Sequence, residues 1–467
     1  MSSNRIRAVL MLGAGGIGMS ALARYYLHQG LKVFGYDKTP TDLTNTLISE
    51  GAVIIFEDDE VQIQPWLLQF EEEEVLVVYT PAVPPDSKIY NYVINHSFKI
   101  IKRAEALGKI TRNTINLSVA GTHGKTTTSC MLAHILKEVD AAAFSILGGI
   151  STNIGSNYYN PFESMEEQAS FPSVVSVTEA DEFDRSFLHL SPFMAAITNM
   201  DSDHLDVYGN GEALIESFLA FARRVDKKGV LFIHHSVQHH FMGVAMDADI
   251  ITYGIENGQI MASNVHINKG RFVFDLILEG EIHRHMVMGM PGKHNIENAL
   301  AAIAMANELD IDMSDIRQAI ASYKGVKRRF EYRVNSDRVY IDDYAHHPTE
   351  LNAIIGAVKQ LYPTDEIVGI FQPHLFSRTR DFMEDFAKSL SALDRVVLLD
   401  IYPAREKPME GVSSSVLLDH IDSTNKCILS KDDVVSYVEN LKPRVLLTLG
   451  AGDIDQLCTP LQKIMST

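Results

Sequence analysis

Short, continuous apolar runs alternate along the chain with longer stretches of helical periodicity. Each run ends at glycine or at polar residues, as the segments 8–12, 75–79 and 367–371 do. Runs of this kind are typical of strands buried on both faces of a parallel sheet. In the intervening stretches apolar residues recur every three or four positions, which is the spacing of an amphipathic helix. The pattern therefore predicts an α/β protein with mostly parallel sheets.

The chain is long enough for several domains, and its pattern changes twice. At roughly 100–200 residues per domain, a length of 467 residues predicts about two to four domains. We expect domains at residues 1–113, 114–326 and 327–467. Within the second, strand-and-hairpin patterns from Ile250 to Met288 predict an inserted antiparallel segment. In the third, strands are predicted near 339–342, 367–371, 395–401 and 445–449, and helices over 349–361, 379–393, 432–441 and 454–464.

Charge and cysteine content narrow the class of protein. The formal net charge of −19 disfavours nucleic acid and anionic membrane surfaces as partners. Cys130, Cys427 and Cys458 are far apart in the sequence, so they predict no disulfide framework and fit a reducing cytoplasm. Glycines interrupt the apolar N-terminal stretch, and no run reaches the length of a membrane span. We expect a cytoplasmic protein with no nucleic-acid partner and no membrane insertion.

The most informative stretch is the glycine–lysine loop, Gly121–Thr127, in which an apolar run breaks at Gly121 and a helical pattern opens near Lys125. This geometry directs backbone N–H groups and a helix N-terminus at a phosphate. Lys125 can contact the terminal phosphate oxygens, and the Thr126 hydroxyl can bind Mg²⁺. A standard P-loop has four residues between its glycines, whereas only Thr122 and His123 separate Gly121 from Gly124 here. The loop predicts a triphosphate site of a shortened type.

Acidic residues follow two predicted strands beyond this loop. One cluster spans 179–184, and the second spans 201–206. Carboxylates at strand ends downstream of a phosphate loop are what Mg²⁺-dependent phosphoryl transfer requires. Either cluster alone could be a solvated face, but the pair favours a metal site.

A second glycine turn lies near the N-terminus. Gly13, Gly15, Gly16 and Gly18 stand between a predicted strand and a helix, and Asp37 ends the next strand. This arrangement satisfies the dinucleotide-binding fingerprint, and taken alone it predicts an NAD-dependent oxidoreductase. The same helix N-terminus can serve any diphosphate ligand.

Polar residues also cluster at predicted strand ends in the third domain, around 342–348, 372–374, 378–380 and 450–453. Strand C-termini form the ligand-binding edge of such sheets, so these ends predict a site. By contrast, the histidine pairs at 234–235 and 239–240 have no partnered acids in sequence, and we interpret them as part of a solvated loop.

These blocks occur together in the order found in Mur ligases, and the chain resembles that family over nearly its whole length. The shortened glycine–lysine loop is characteristic of the family. The matching segments are 12–20, 121–128, 179–184, 203–208, 294–298, 328–331, 342–350, 371–381 and 399–405.

The resemblance implies three domains: a Rossmann-like N-terminal domain for a UDP-sugar, a central P-loop ATPase-type α/β domain, and a Rossmann-like C-terminal domain contributing to amino-acid binding. It is strongest for the branch that joins L-alanine to UDP-N-acetylmuramate through an acyl phosphate in peptidoglycan precursor synthesis. ATP and Mg²⁺ would be required, and we expect a monomer or weak homodimer.

The resemblance also implies roles for individual residues. The implied ATP-binding residues are Gly121, Thr122, His123, Gly124, Lys125, Thr126, Thr127, Asn295, Asn298, Arg329 and Asp343. The implied UDP-sugar-binding residues are Gly13, Gly15, Gly16, Gly18, Met19, Ser20, Asp37, Thr80 and Pro81. The implied metal ligands are Thr126, Glu179 and His204, and the implied catalytic residues are Lys125, Glu179, His204, His347 and Arg378. His374 would face the substrates with His347 and Arg378.

Three alternatives remain open. A recycling ligase that joins a murein peptide to the same UDP-sugar shares the acceptor chemistry. An NAD-dependent oxidoreductase explains the N-terminal glycine turn but not the glycine–lysine loop, and a non-catalytic nucleotide sensor does not explain the intact Lys125. One departure from the family pattern is Leu375, which stands where many alanine-adding enzymes have an arginine, so Arg378 or Arg380 would have to make that contact. No lysine occurs between His204 and Ala222, which agrees with the alanine-adding branch.

Overall fold

The computed structural model describes residues 6–201, 208–404 and 406–466, apart from the side chains of Met165 and Glu166. Its contacts divide the chain into two compact units. The first comprises Met1–Ser263, Leu276–His283 and Glu297–Ile320, and the second comprises Asn264–Asp275, Arg284–Ile296 and Ala321–Thr467. Three sheets with their helices give the chain three α/β domains.

The N-terminal domain is built on a five-stranded sheet. Its strands are β1 (Ala8–Leu12), β2 (Lys32–Tyr36), β3 (Val53–Ile55), β4 (Val75–Tyr79) and β5 (Lys99–Lys102). Its helices are α1 (Ile17–His28), α2 (Asp42–Ser49), α3 (Glu60–Leu67), α4 (Lys88–Ile94) and α5 (Arg103–Thr111). The order is β3-β2-β1-β4-β5, and all neighbours are parallel. The central strand β1 is fully buried, which explains its unbroken apolar sequence.

The central domain is built on a ten-stranded sheet. Its strands are β6 (Ile115–Ala120), β7 (Ala143–Ser151), β8 (Ser156–Tyr159), β9 (Val175–Glu179), β10 (Met194–Ile197), β11 (Val230–His234), β12 (Asp249–Ile255), β13 (Ile260–Asn268), β14 (Arg271–Leu278) and β15 (Glu281–Val287). The helices described for this part of the chain are α6 (Lys125–Glu138), α7 (Met165–Ser170), α8 (Gly211–Ala222), α9 (Lys293–Asn307) and α10 (Met313–Ser322).

The strand order of the central sheet is β15-β14-β13-β12-β11-β10-β6-β9-β7-β8. Strand β6 lies between β9 and β10 and is parallel to both. The carboxyl ends of these three strands therefore meet at one edge of the sheet, where ligands of open α/β sheets bind. This edge carries the glycine–lysine loop and the residues that follow the two neighbouring strands.

The C-terminal domain is built on a six-stranded sheet. Its strands are β16 (Glu331–Asn335), β17 (Val339–Asp343), β18 (Ile367–Phe371), β19 (Arg395–Leu398), β20 (Lys426–Ile428) and β21 (Val445–Leu449). Its helices are α11 (Pro348–Leu361), α12 (Phe376–Asp381), α13 (Met383–Leu390), α14 (Ser414–His420), α15 (Lys431–Leu441) and α16 (Cys458–Met465). The order is β16-β17-β21-β18-β19-β20, with only β16 antiparallel to its neighbour among the described strands.

Most elements of the α/β pattern are present, with two local differences. Strand β12, which the sequence analysis places in the antiparallel insertion, pairs in parallel with both β11 and β13. The single helix predicted over 379–393 is two helices, α12 and α13, because Phe382 leaves helical geometry at φ −116° and ψ 22°. Its ring packs edge-on against His347, with 4.7 Å between the ring centroids.

Helix α1 joins the N-terminal and central domains within the first unit. Tyr25 of α1 packs against Phe144 of β7 and Tyr158 of β8, so one apolar cluster continues from one sheet to the other. Asn157, fully buried, donates hydrogen bonds to the Ile17 carbonyl (2.6 Å) and the Ser20 hydroxyl (2.9 Å). It also accepts one from Arg24, which pairs with Glu50 at 2.8 Å.

Across the described ranges, none of the helices combines the length and apolar character needed to cross a lipid bilayer.

Replacing Asn157 by Ala should destabilise the first unit, because Arg24 and the Ile17 carbonyl lose a buried partner. Three buried hydrogen bonds of Asn157 are lost, and at about 0.5–1.5 kcal/mol for each we expect a loss of about 2–4 kcal/mol. Urea unfolding followed by circular dichroism measures this loss. Asn257→Ala is the matched control, since Asn257 is exposed and makes one marginal bond at 3.5 Å. Equal midpoints for the two variants would contradict the role given to Asn157.

Candidate active site

The glycine–lysine loop requires both of its glycines. Gly121 has a φ of +131°, and an added Cβ would lie 2.0 Å from the Thr198 hydroxyl oxygen. Gly124 has a φ of +82°, and an added Cβ would lie 2.4 Å from Oδ1 of Asn298. Left-handed backbone and close neighbours both favour glycine at these two positions.

Residues that follow β10 hold the loop in place. The Thr122 hydroxyl donates to the carbonyl of Asp201 (2.9 Å), and the His123 N–H donates to Oδ1 of Asn199 (2.9 Å). The Thr198 hydroxyl donates to the His123 carbonyl. Helix α6 then begins at Lys125 without a side-chain cap, so the N–H groups of its first turn face the loop.

Lys125 lies almost buried at the centre of the loop. Its Nζ donates to the carbonyls of Gly121 (2.5 Å) and Thr122 (3.3 Å) and to Glu182 (3.0 Å). Burial alone would lower the pKa of Lys125, but the carboxylates of Glu182 and Glu179 outweigh it and raise the pKa. Lys125 is therefore a cation. Burial raises the pKa of Glu182, and Lys125 opposes that shift.

Glu179 ends β9 directly beside the glycine–lysine loop, in register with Val119 of β6. Its Oε2 is buried and accepts no hydrogen bond. Gly148 leaves room for this carboxylate, because an added Cβ there would lie 2.1 Å from Oε2. A buried carboxylate oxygen that accepts no hydrogen bond, next to a phosphate loop, fits the ligand set of Mg²⁺. Thr126, the second predicted ligand, is buried in the first turn of α6.

His204, the third predicted metal ligand, lies outside the described residues. Within the described ranges, no group of three or more His, Cys, Asp and Glu side chains is arranged to hold a metal ion. Threonine hydroxyl groups and water can also bind Mg²⁺, which commonly keeps several waters.

Two asparagines lie on the first turns of α9. The Asn298 Oδ1 accepts from the Thr128 hydroxyl (3.3 Å) and lies against Gly124, so the structure brings Asn298 to the glycine–lysine loop. Asn295 donates to the carbonyl of Pro291 (2.6 Å), which fixes the start of the same helix.

The carboxylate of Asp37 accepts a hydrogen bond from the N-terminal glycine turn. Asp37 accepts from the N–H of Gly15 (2.8 Å) through Oδ2 and from the N–H of Thr39 (3.1 Å) through Oδ1. Gly13 faces Thr80, since a Cβ added to this glycine would lie 2.5 Å from the Thr80 methyl carbon. Pro81 follows at an exposed position. The structure thus gathers Gly13, Gly15, Asp37 and Thr80 around one turn.

Met19 and Ser20, also predicted to bind the UDP-sugar, have their side chains in the core. Both are buried in α1, and the Ser20 hydroxyl donates to the Ile17 carbonyl (2.9 Å). Gly16 has a β-region conformation at the helix N-cap. Gly18 lies in the first turn of α1 and faces a cation that the sequence analysis overlooked, as an added Cβ would lie 2.8 Å from Nη1 of Arg103.

In the second unit, Asp343 organises the segment that carries Arg329. Asp343 accepts from the N–H of Phe330 (2.7 Å) and the N–H of Ala345 (2.8 Å). Burial raises the pKa of Asp343 to about 7, although these bonds and Arg329 favour the charged form. The neighbouring Arg328 turns away to pair with Asp342 at 3.1 Å.

His347, His374 and Arg378 lie at the carboxyl ends of strands in the C-terminal domain or on the helices that follow. Nδ1 of His347 accepts from the Thr349 N–H (3.3 Å) and so caps α11. The neutral ring therefore carries its proton on Nε2. His374 stacks on Tyr402, with 5.7 Å between ring centroids, and Arg378 lies on α12.

The solvated-loop interpretation is wrong for His234. This residue ends β11 with a mostly buried side chain, and its Nε2 lies 3.2 Å from Oε1 of Glu297. The partner acid was missed because it is distant in sequence.

Three contacts of the site were not predicted from the sequence. These are the ion pair of Glu182 with Lys125, the hydrogen bond from the His123 N–H to Asn199, and the position of Arg103 beside Gly18. Glu182 lies within a predicted acidic cluster, so its position was a usable signal. Nothing local to Arg103 indicates that it reaches a turn formed much earlier in the sequence.

A sheet-edge glycine loop with a buried lysine, beside a carboxylate oxygen that accepts no hydrogen bond, defines a protein that binds nucleotide phosphates. Three family models match nearly the whole chain: "Mur ligase family, catalytic domain" over residues 9–114, "Mur ligase middle domain" over 119–306, and "Mur ligase, glutamate ligase domain" over 328–452. The chain belongs to the Mur ligase family.

Full-length relatives carry a more specific name. The chain is 46% identical over 467 residues to the UDP-N-acetylmuramate–L-alanine ligase of Flavobacterium johnsoniae, covering 100% of this chain and 99% of that protein. It is 45% identical over 466 residues to the protein of the same name in Porphyromonas gingivalis, covering 99% of this chain and 100% of that protein.

Solved structures share the fold. The crystal structure of UDP-N-acetylmuramate–alanine ligase from Thermotoga maritima has a TM-score of 0.79 and 26% identity, covering 98% of this chain and 99% of that one. A murein peptide ligase from Psychrobacter arcticus has a TM-score of 0.71 and 21% identity, covering 99% of each chain, and shows the fold alone.

Replacing Gly124 by Ala should abolish nucleotide binding, because the new methyl group would meet Asn298. Gly155→Ala is the matched control, since Gly155 has a similar φ of +76° with no atom within 4 Å of an added Cβ. Both variants should lose about 1–2 kcal/mol of stability from left-handed backbone. Calorimetric titration with an ATP analogue should detect binding only in the control. Binding by Gly124→Ala with unchanged affinity would contradict the contact.

Proposed function

We propose that this chain is an ATP-dependent ligase that joins L-alanine to UDP-N-acetylmuramate, releasing ADP and phosphate. The observation that carries the proposal is Lys125, held as a buried cation in a glycine loop of a chain that aligns end to end with ligases of that name. Such a reaction supplies a precursor for peptidoglycan.

The chemistry begins with a carboxylate that is a poor electrophile. Transfer of the terminal phosphoryl group of ATP to the lactyl carboxylate of UDP-N-acetylmuramate gives an acyl phosphate and ADP. In phosphoryl transfer the protein mainly positions groups and neutralises charge. Lys125 and the N–H groups of the glycine–lysine loop provide this for the phosphates, and Asn295, Asn298, Arg329 and Asp343 are the proposed remaining contacts to ATP.

Mg²⁺ is the proposed metal, and Thr126 and Glu179 would hold it, with His204 as a further proposed ligand. The buried Oε2 of Glu179, which accepts no hydrogen bond, supports this assignment. Bound there, Mg²⁺ would neutralise charge on the phosphate oxygens.

The amine of L-alanine then attacks the acyl phosphate, and the tetrahedral intermediate collapses to the amide and phosphate. The amine must be neutral to attack, so a proton has to leave it. His347 is the proposed acceptor, and Arg378 is proposed to bind a substrate carboxylate. Since Nδ1 of His347 caps α11, the ring can accept a proton only by giving up its bond from Thr349 or by first losing the proton on Nε2.

The alternatives have less support. A recycling ligase that uses a murein peptide would share every ATP contact, but its structural relative at 21% identity supports only the fold. An NAD-dependent oxidoreductase leaves the buried cation Lys125 and its glycine loop without a role.

We also propose domain limits, a cellular location and an oligomeric state for this ligase. We propose domain limits at residues 1–113, 114–326 and 327–467, supported by the matched ranges of the family models. A cytoplasmic location is supported by the use of ATP, and we propose a monomer or weak homodimer.

The amine donor decides between the two ligase functions. With ATP, Mg²⁺ and UDP-N-acetylmuramate present, phosphate release should be stimulated by L-alanine and much less by glycine or L-serine. The tripeptide of murein recycling should give no stimulation. Release with the tripeptide alone would establish the recycling ligase instead.

Replacing Glu179 by Gln should raise the Mg²⁺ concentration needed for half-maximal activity by at least about 10-fold, because the neutral amide is a weaker ligand. Folding should be unchanged, since Oε2 has no hydrogen bond to lose. Glu216→Gln, an exposed position in the same domain, is the control. A Mg²⁺ titration of phosphate release that superimposes for both variants would remove Glu179 from the metal site.

A further inference from the structure

One short acidic stretch pairs with the lysine of the glycine–lysine loop and with the arginine that lies beside the N-terminal glycine turn. We call residues 181–184 the acidic segment; it follows Glu179 by two positions. Glu182 pairs with Lys125 at 2.9 Å. On either side of it, Asp181 pairs with Arg103 at 3.0 Å and Asp184 pairs with Lys102 at 2.9 Å. Lys102 and Arg103 are adjacent at the start of α5 in the N-terminal domain.

We propose that the acidic segment couples the two substrate sites of the ligase. While Arg103 holds Asp181, Glu182 stays on Lys125 and competes with ATP phosphates for it. A diphosphate at the N-terminal glycine turn takes Arg103 from Asp181, the segment loosens, and Lys125 becomes available. This inference rests on the proposed function, because it takes the diphosphate to be that of the UDP-sugar. Asp181, Glu182 and Asp184 act here as positioning residues.

The position of Arg103 supports competition for its guanidinium. It lies against Gly18 in the first turn of α1, where the helix dipole is positive. A cation at that end is unfavourable alone, and an anion placed between them would be attracted to both. Guanidinium groups also bind phosphate oxygens with two parallel hydrogen bonds. A diphosphate would therefore draw Arg103 away from Asp181.

The three ion pairs are not equally strong. Lys102 and Asp184 are 46% and 40% exposed, and pairs of this kind contribute little. Arg103 and Asp181 are 21% and 34% exposed, so their pair is less screened by water. Lys125 and Glu182 are 12% and 1% exposed, so Glu182 is a strong competitor for the cation. The Arg103–Asp181 pair is accordingly the principal link.

Electrostatics gives the coupling its sign. When Asp181 loses Arg103, its charge is no longer compensated and repels the neighbouring Glu182 carboxylate. Repulsion weakens the hold of Glu182 on Lys125, so ATP phosphates meet less competition. Binding of the UDP-sugar should therefore strengthen binding of ATP, and by linkage ATP should strengthen binding of the UDP-sugar by the same factor.

The backbone at the end of the segment has an uncommon conformation. Asp184 and Arg185 have φ values of +53° and +54°, a left-handed region that few non-glycine residues adopt. Their surroundings include Tyr208, whose hydroxyl donates to the Glu182 carbonyl (2.5 Å) and whose ring lies 4.9 Å from the Arg185 guanidinium carbon. Relaxing these two residues offers the segment a second conformation.

The test is calorimetric titration of the full chain with a non-hydrolysable ATP analogue and Mg²⁺, without L-alanine, with and without saturating UDP-N-acetylmuramate. The measured quantity is the ratio of the two nucleotide dissociation constants. In the unmodified chain UDP-N-acetylmuramate should tighten nucleotide binding by about 5-fold or more, within the usual range of site coupling.

Asp181→Asn should give a ratio near one, because it removes both the pair with Arg103 and the charge that would repel Glu182. The amide oxygen can still accept the bond that Asp181 Oδ1 accepts from the Phe183 N–H (3.1 Å), so the turn is preserved. Asp184→Lys should also lower the ratio, because two cations would then repel, and adding Lys102→Glu should restore it. Glu105→Gln is the control, since it removes only the exposed pair with Lys109 on α5.

Either of two results in the variants would overturn the coupling. One is an unchanged ratio in Asp181→Asn or, should that variant not fold, in Asp184→Lys. The other is equal weakening of nucleotide binding in both conditions, which would assign Asp181 to the metal or phosphate site. A ratio of one in the unmodified chain, with UDP-N-acetylmuramate bound, would contradict the coupling alone. No binding of UDP-N-acetylmuramate at all would contradict the proposed function itself.

Discussion

The buried ion pair between Lys125 and Glu182 is the interaction on which the first unit depends. A lysine enclosed by its own loop carbonyls is tolerated only because a carboxylate compensates the cost of burying its charge. That compensation keeps Lys125 charged and fixed at the point where phosphate oxygens would arrive. In the coupling proposed above, a nucleotide phosphate displaces Glu182 from this cation, so the same contact both stabilises the loop and competes with the ligand.

Packing between the N-terminal and central domains links the Lys125–Glu182 pair to the N-terminal glycine turn. Asn157 ties α1 to the central sheet through bonds to Ile17 and Ser20, and an apolar cluster runs between the same two domains. The glycine turn that opens α1 is thus held at a fixed distance from the acidic segment. Rigid packing of this kind lets a change in one ion pair reach another through a short chain of contacts.

Much of the fold and of the candidate site is predictable from the sequence, because it depends on interactions between residues close together in the chain. The glycine–lysine loop, the N-terminal turn and the buried strands are set by residues adjacent in the chain, so their patterns were sufficient. Contacts such as Asn199 on His123 and His234 on Glu297 depend on which strands become neighbours, and no local signal encodes that. Phe382 illustrates the same limit, since its packing on His347 interrupts a helix that periodicity alone would continue.

In the proposed reaction, the free energy of ATP hydrolysis enters through an acyl phosphate on the UDP-sugar. The most direct test uses UDP-N-acetylmuramate labelled with ¹⁸O in its lactyl carboxylate, with ATP, Mg²⁺ and L-alanine, and mass spectrometry of the phosphate released. One carboxylate oxygen should pass to phosphate with each amide formed. Phosphate that carries no label while the alanyl product accumulates would contradict the mechanism.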